Sequence, residues 1–285
     1  VAWDNRAETA GMVMGHEFVA EVVEAGPGAE NWAPGTRVTS VPVLMDPASP
    51  SGFASIGYST VYPGAYGQYV VMSGPMLLKV PDGLHDVTAA TTEPCAVGLH
   101  AARQAEMQPG ETAIVMGAGP IGLMTLIWLK QEGVPHVTVS DYAPARRELA
   151  AKLGADLVVD PGSQDLAAAH LEATGKAAPV VFECVGVEGT LHQAMQLVDR
   201  GGRVVVVGVC MKEDRIHPMV GINKQLTLKF VLGYTPAEYA EALTALGDKT
   251  VDTSPMVTRT VSLDELPAAF ESLADPHDCK IVLVP

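Results

Sequence analysis

Between residues 112 and 232 short apolar runs rich in β-branched residues alternate with longer stretches of helical composition. The runs at 113–116, 137–140, 157–160, 180–184, 203–207 and 226–232 predict six strands. Helices are expected at 121–132, 144–153, 165–173 and 190–198, with Gly133, Gly154 and Gly175 placed to end the first three and Pro144 in the first turn of the second. The strands are almost wholly apolar, so both faces of their sheet must be covered, which is the pattern of a parallel sheet with helices on each side. An α/β fold with a doubly wound parallel six-stranded sheet is the layout this predicts.

The flanking segments differ. Residues 13–79 are rich in Gly, Pro and Val, with alternating runs at 18–23, 37–41 and 69–71, and predict a small, partly closed antiparallel β-barrel. Residues 45–63 read as a long turn-rich loop bordering a pocket or a subunit contact. Beyond Tyr234 two helices (236–246 and 263–273) and a last strand (280–284) are expected. The run 112–129 is free of charge over 18 residues, but Gly117-Ala118-Gly119-Pro120 interrupts it, so strand, turn and helix replace a membrane span.

Composition narrows the function. The 285 residues suit about two domains. Lys and Arg number 18 against 33 Asp and Glu, a net charge of −15 that argues against a nucleic-acid partner. The four cysteines, Cys95, Cys184, Cys210 and Cys279, form no CxxC pair, which points to a reducing compartment, the cytoplasm. The chain opens on Val1 rather than Met, and a segment upstream is expected to be missing.

Gly117-Ala118-Gly119-Pro120-Ile121-Gly122 fits G-x-G-x-x-G, with a strand before it, a helix after it and Asp141 ending the next strand 19 residues past Gly122. Gly117 permits the tight turn, Gly119 lets a pyrophosphate approach bare backbone, and Gly122 lets helix and strand pack closely. The phosphates then meet the positive end of a helix. Asp141 is placed to accept from both ribose hydroxyls and to repel a 2′-phosphate, which favours NAD over NADP; Arg146 stands at the same ribose and leaves NADP open. A glycine turn in a non-binding sheet, or a flavin or other adenine ligand, are the alternative readings of the hexamer.

Gly15-His16-Glu17 and Glu93-Pro94 offer imidazole and carboxylate donors of the kind zinc accepts. Neighbours on a regular strand point to opposite faces, so His16 and Glu17 share a metal only at an irregular backbone, which Gly15 permits. An ordinary polar pair is the alternative.

The segments MGHEFVAEVVEAGPGAENWAPGTRV (14–38), PGAYGQYVVM (63–72), TEPCAVGLHA (92–101), VMGAGPIGL (115–123), SDYAPARRELAAKLGAD (140–156), FECVG (182–186), GGRVVVVGV (201–209) and KIVLVP (280–285) together resemble the zinc-dependent medium-chain dehydrogenase/reductase family, of the alcohol, polyol and threonine dehydrogenase type. The resemblance covers nearly the whole chain. It implies a GroES-like catalytic domain (1–98), a Rossmann dinucleotide-binding domain (99–234) and a C-terminal return to the catalytic domain (235–285). It also implies one catalytic zinc on His16, Glu17 and Glu93, which are then both metal ligands and catalytic residues. The Cys ligand and the Ser or Thr proton relay of that family would lie before His16, where this chain has no such stretch; either the N-terminal segment is missing or the metal has been lost. Cys95 is a candidate stand-in ligand, against the commoner fate of a buried cysteine. The 45–63 lobe has no cysteines, so no structural zinc is expected.

By the same resemblance Val207, Gly208, Val209 and Leu232 border the nicotinamide, and Cys184 and Val185 lie along the adenosine and ribose path. The remaining histidines, His100 foremost, read as surface or packing residues. The implied activity is hydride transfer between NAD(H) and a secondary alcohol, polyol or similar hydroxy compound, with zinc as Lewis acid. Relatives pair as homodimers or homotetramers, with 226–232 as the strand to do so. A zinc-free quinone or enoyl reductase and a catalytically silent nucleotide-binding protein are the competing functions.

Overall fold

Residues alternate sides along a strand, and in the central sheet both sides are apolar. The computed structural model describes residues 11–285 apart from residue 59. The N-terminal unit holds β1 (Ala20–Glu21), β2 (Arg37–Ser40), β3 (Val43–Met45), β4 (Phe53–Ser55) and β5 (Leu77–Lys79), then helices α1 (Asp86–Ala89) and α2 (Thr92–Gln104). The dinucleotide-type unit follows as β6 (Ala113–Met116), α3 (Pro120–Gln131), β7 (Val137–Ser140), α4 (Pro144–Lys152), β8 (Leu157–Val159), α5 (Leu166–Thr174), β9 (Val180–Glu183), α6 (Thr190–Leu197), β10 (Arg203–Val206), α7 (Pro218–Lys224) and β11 (Thr227–Phe230). The chain ends with α8 (Pro236–Gly247), β12 (Val257–Val261), α9 (Leu266–Glu271) and β13 (Lys280–Leu283).

The order β11-β10-β9-β6-β7-β8, all parallel, is the doubly wound sheet. Ala113 and Val115 of β6 enter one apolar core, with Leu123, Leu126, Leu129, Leu99 and Tyr239. Ile114 and Met116 enter the other, with Val181, Val204, Ala194 and Leu166. Helix α2 lies directly on α3, because a Cβ on Gly98 would stand 2.5 Å from the Met124 backbone. It runs unbroken through residues 98 and 99, so the first two units share a helix.

Several expectations change. The N-terminal β segment forms a sheet β1-β2-β5 and a separate hairpin β3-β4, whose second strand lies inside the 45–63 loop. The run 18–23 keeps only two strand residues, and 69–71 carries no strand because Tyr69 and Val71 stand exposed without a pairing partner among the described residues. Helices α2 and α7 and strand β12, which pairs in parallel with β13, are additions to the sequence reading. The C-terminal helix shortens to α9 followed by a 3-10 turn.

Three histidines read as packing or surface residues have definite partners. His100 Nδ1 lies 3.0 Å from Glu238 Oε2. His170 is buried, its two ring nitrogens bonded to the Thr112 and Thr138 hydroxyls at 3.1 and 2.8 Å, and His136 packs edge-on against it. Burial, and next the neighbouring His136, lower the His170 pKa to about 4 from the model-peptide 6.5. The unfolded chain therefore binds a proton that the folded one refuses between these values, and stability falls as pH drops through that window, by at most ~3 kcal/mol from this group. Thermal unfolding followed from pH 7 to 4 is expected to show that loss, and His170→Gln to show a flatter slope over the same range; an unchanged slope refutes the assignment.

Candidate active site

Strand β6 runs out at Met116 and the chain turns at Gly117, with φ +91°, into helix α3. The turn is tight enough that a Cβ on Gly122 would stand 1.9 Å from the Gly117 carbonyl oxygen. Pro120 occupies the first turn of α3, and its N-cap Gly119 contributes no side-chain hydrogen bond, so the leading amides face the crevice at the carboxyl ends of the strands. A Cβ on Gly119 would meet nothing within 4 Å: the space over the turn is open.

Asp141 follows β7 and faces this turn. Its Oδ2 accepts the Ala118 N–H at 2.9 Å and its Oδ1 the Ala143 N–H at 2.8 Å. Arg146 Nη1 lies 3.9 Å from Oδ2, near enough to shape the charge there. Arg147, unremarked in the sequence, donates to the Asp141 and Tyr142 carbonyls and fixes the loop. Gly117, Gly119, Pro120, Ile121, Gly122, Asp141 and Arg146 thus share one edge of the sheet. Cys184 and Val185 pack against the turn: the Gly117 Cβ position lies 3.0 Å from Val185 Cγ2, and the Gly122 one 3.4 Å from Cys184 Cβ. Val207 is buried, Val209 largely exposed, and Leu232, 88% exposed, stands beyond the outermost strand.

The second cluster starts from a bend. Gly15 has φ +95°, and no strand forms until Ala20. The Gly64, Ala65 and Tyr66 amides donate to the Val13, Gly15 and Met14 carbonyls, and Cβ atoms on Gly57 or Gly64 would strike the Gly15 carbonyl at 2.8 and 2.3 Å. At this bend the adjacent side chains of His16 and Glu17 converge instead of diverging. Glu93 joins them from the first turn of α2, so that one ligand atom from each lies within 4.8 Å of the others. His16 Nε2 and Glu93 Oε1 are 4.0 Å apart.

The electrostatics are those of crowded, partly dry donors. Burial, and next the Glu17 carboxylate, push the Glu93 carboxyl up to about 7, and Tyr234 donates a hydrogen bond to it. Burial holds the His16 imidazole below its ordinary value, against the pull of Glu17. Tyr58 Oη stands 3.1 and 3.3 Å from the two ring nitrogens of His16. Glu17 makes an ion pair with Lys280 of β13. An imidazole and two carboxylates this close suit a divalent cation of zinc type. Cys95 does not join them: it lies fully buried in the apolar core, its thiol pushed up to about 12 by burial, and Trp128 Nε1 donates to its carbonyl.

Lys280, Tyr58 and Tyr234 had no separate signal in the sequence. Lys280 lies inside the KIVLVP segment and Tyr58 inside the 45–63 loop, but only tertiary contact gives either a role.

Comparison with known proteins agrees with this geometry. Residues 120–248 match the zinc-binding dehydrogenase family and residues 2–82 the alcohol dehydrogenase GroES-like domain. The chain is 34% identical to (R,R)-butanediol dehydrogenase of Bacillus subtilis (strain 168), over 91% of this chain and 76% of that one. It is 28% identical to L-threonine 3-dehydrogenase of Alteromonas mediterranea, over 99% and 85%. A crystal structure described as a zinc-binding dehydrogenase from Sinorhizobium meliloti 1021, bound to NADP, superposes with a TM-score of 0.89 at 28% identity, over 98% of this chain and 85% of that one. The bend that gathers His16, Glu17 and Glu93 and the glycine turn of the wound sheet therefore sit in a chain that belongs to the zinc-type medium-chain dehydrogenase/reductase family.

Proposed function

We propose that the protein oxidises a small secondary alcohol or polyol reversibly, with NAD as hydride acceptor and one zinc held by His16, Glu17 and Glu93. The convergence of those three side chains at the Gly15 bend carries the reading. It is supported by relatives named for butanediol and L-threonine dehydrogenation. When bound, zinc supplies Lewis acidity toward the alcohol oxygen and the nicotinamide supplies the hydride acceptor.

The chain's own residues do the rest. His16, kept neutral by burial, offers a ring nitrogen, and Lys280 orients the Glu17 carboxylate. Tyr234 holds Glu93 by its hydrogen bond. The repulsion between Glu93 and Glu17 that helps raise the Glu93 pKa is what a divalent cation offsets. Asp141 faces the Gly117 turn, where a ribose would meet its carboxylate and a 2′-phosphate would be repelled, while Val207, Gly208, Val209 and Leu232 would flank the nicotinamide. Among the described residues β11 is an outermost strand of the sheet, and with exposed Phe230 and Leu232 beside it this supports pairing with a second copy, in a homodimer or homotetramer. Four free cysteines suit a cytoplasmic setting, and among the described residues no helix is long and apolar enough to cross a membrane.

Metal analysis of the purified protein is expected to find about one zinc per chain, and His16→Ala to lose most of it. A His16→Ala protein with undiminished zinc refutes the ligand assignment. Production of NADH at 340 nm across secondary alcohols and polyols tests the reaction itself. Asp141→Ala is expected to weaken NAD binding roughly tenfold, about 1.4 kcal/mol, and to narrow the preference over NADP. Titration of both nucleotides decides this: an unaltered NAD affinity removes Asp141 from the ribose site.

A further inference from the structure

At the crevice end of the sheet lies a buried carboxylate that neither cluster uses. Glu183, the last residue of β9, is 2% exposed. Its Oε1 accepts the Val185 and Gly186 amides at 2.8 and 2.9 Å. Its backbone carbonyl accepts the Val207 and Gly208 amides at 2.9 and 2.8 Å. One residue thus gathers two N–H groups from each of two loops, the one leaving β9 and the one leaving β10.

Those loops have no slack. A Cβ on Gly208 would stand 2.4 Å from the Gly186 nitrogen and 2.7 Å from Glu183 Oε2, and one on Gly186 would stand 2.6 Å from the Val209 nitrogen. The backbones touch, and the carboxylate lies directly beneath the contact. An apolar residue here would leave the Val185 and Gly186 amides without their acceptor. A carboxylate is the strongest acceptor available for such a pair. It therefore fixes the 184–186 loop, while the Glu183 main-chain carbonyl fixes the 207–209 loop that the first one touches.

We propose that Glu183 is a positioning residue that holds the 184–186 loop, on the adenosine and ribose path, at the separation from the 207–209 loop that the nicotinamide half of the cofactor requires. The inference rests on the dinucleotide reading above, in which 207–209 border the nicotinamide. Glu183 does not touch the reacting atoms. Its carboxylate acts on the cofactor through the 184–186 loop, which lies along the ribose path, and through that loop's spacing from 207–209 beside the nicotinamide.

The test compares NADH with ADP-ribose, which lacks the nicotinamide, on wild type, Glu183→Gln and the shorter Glu183→Asp. Binding is read by NADH fluorescence and by calorimetry, and unfolding of the cofactor-free proteins is followed in parallel. Glu183→Gln is expected to raise the NADH dissociation constant about tenfold and to reduce the fluorescence enhancement of bound NADH, with ADP-ribose, which shares the ribose path along Cys184 and Val185, weakened only about threefold. Glu183→Asp, which keeps the charge and loses reach, is expected to fall between; it stands in if the Gln variant does not fold. Equal weakening of both ligands, or no change in either, overturns the proposal while leaving the dinucleotide site intact. A wild type that binds neither ligand overturns the dinucleotide reading and this inference with it.

Discussion

Two neighbouring side chains on a straight strand look away from each other, and His16 and Glu17 face the same space only because the chain is not straight there. Gly15 takes a backbone conformation that a side chain would resist, and the 64–66 segment clamps it with three main-chain hydrogen bonds. The close approaches at Gly57 and Gly64 leave no room for the bend to relax. The acidic cluster with Glu93, the crowding that raises the Glu93 pKa and the pairing of Glu17 with Lys280 all follow from that local geometry.

The bend would have little consequence without the helix that meets it. Glu93 stands in the first turn of α2, and α2 is seated on α3 where Gly98 faces Met124. The first turn of α3 is in turn the rim of the glycine loop. Two helices in direct contact therefore fix the distance between the donor cluster and the wound sheet's crevice. Tyr239 of α8 ties the same assembly to β2 through its hydroxyl, 2.7 Å from Thr39 Oγ1. Precision in the site comes from packed secondary structure more than from its loops.

The wound sheet was the most legible part of the chain, because each strand is a short apolar run bounded by turn residues and each helix carries its own stop. The doubly wound layout followed from six apolar strands alternating with helices. The grouping of His16, Glu17 and Glu93 was implied by the family resemblance, with Gly15 permitting it, and its closeness needed coordinates. What escaped notice depended on distant partners. Residues 69–71 have β-type composition, yet among the described residues no neighbouring strand pairs with them; 257–261 form a strand because β13 lies alongside. Cys95 sits two residues from Glu93, but two residues along a helix rotate the side chain by about 200°, so the carboxylate faces the cluster and the thiol faces the core. Glu183 was in view within FECVG, and nothing local reveals that four amides converge on it.

The ion pair between Glu17 and Lys280 joins residues 263 positions apart. During synthesis the carboxylate is made first and waits for its counter-charge while the whole wound sheet emerges from the ribosome. This contact of the leading β segment therefore closes only after the sheet that follows it has been made. An assembly line that completed each unit in turn would leave the acidic pair bare until the final strand returned to dock.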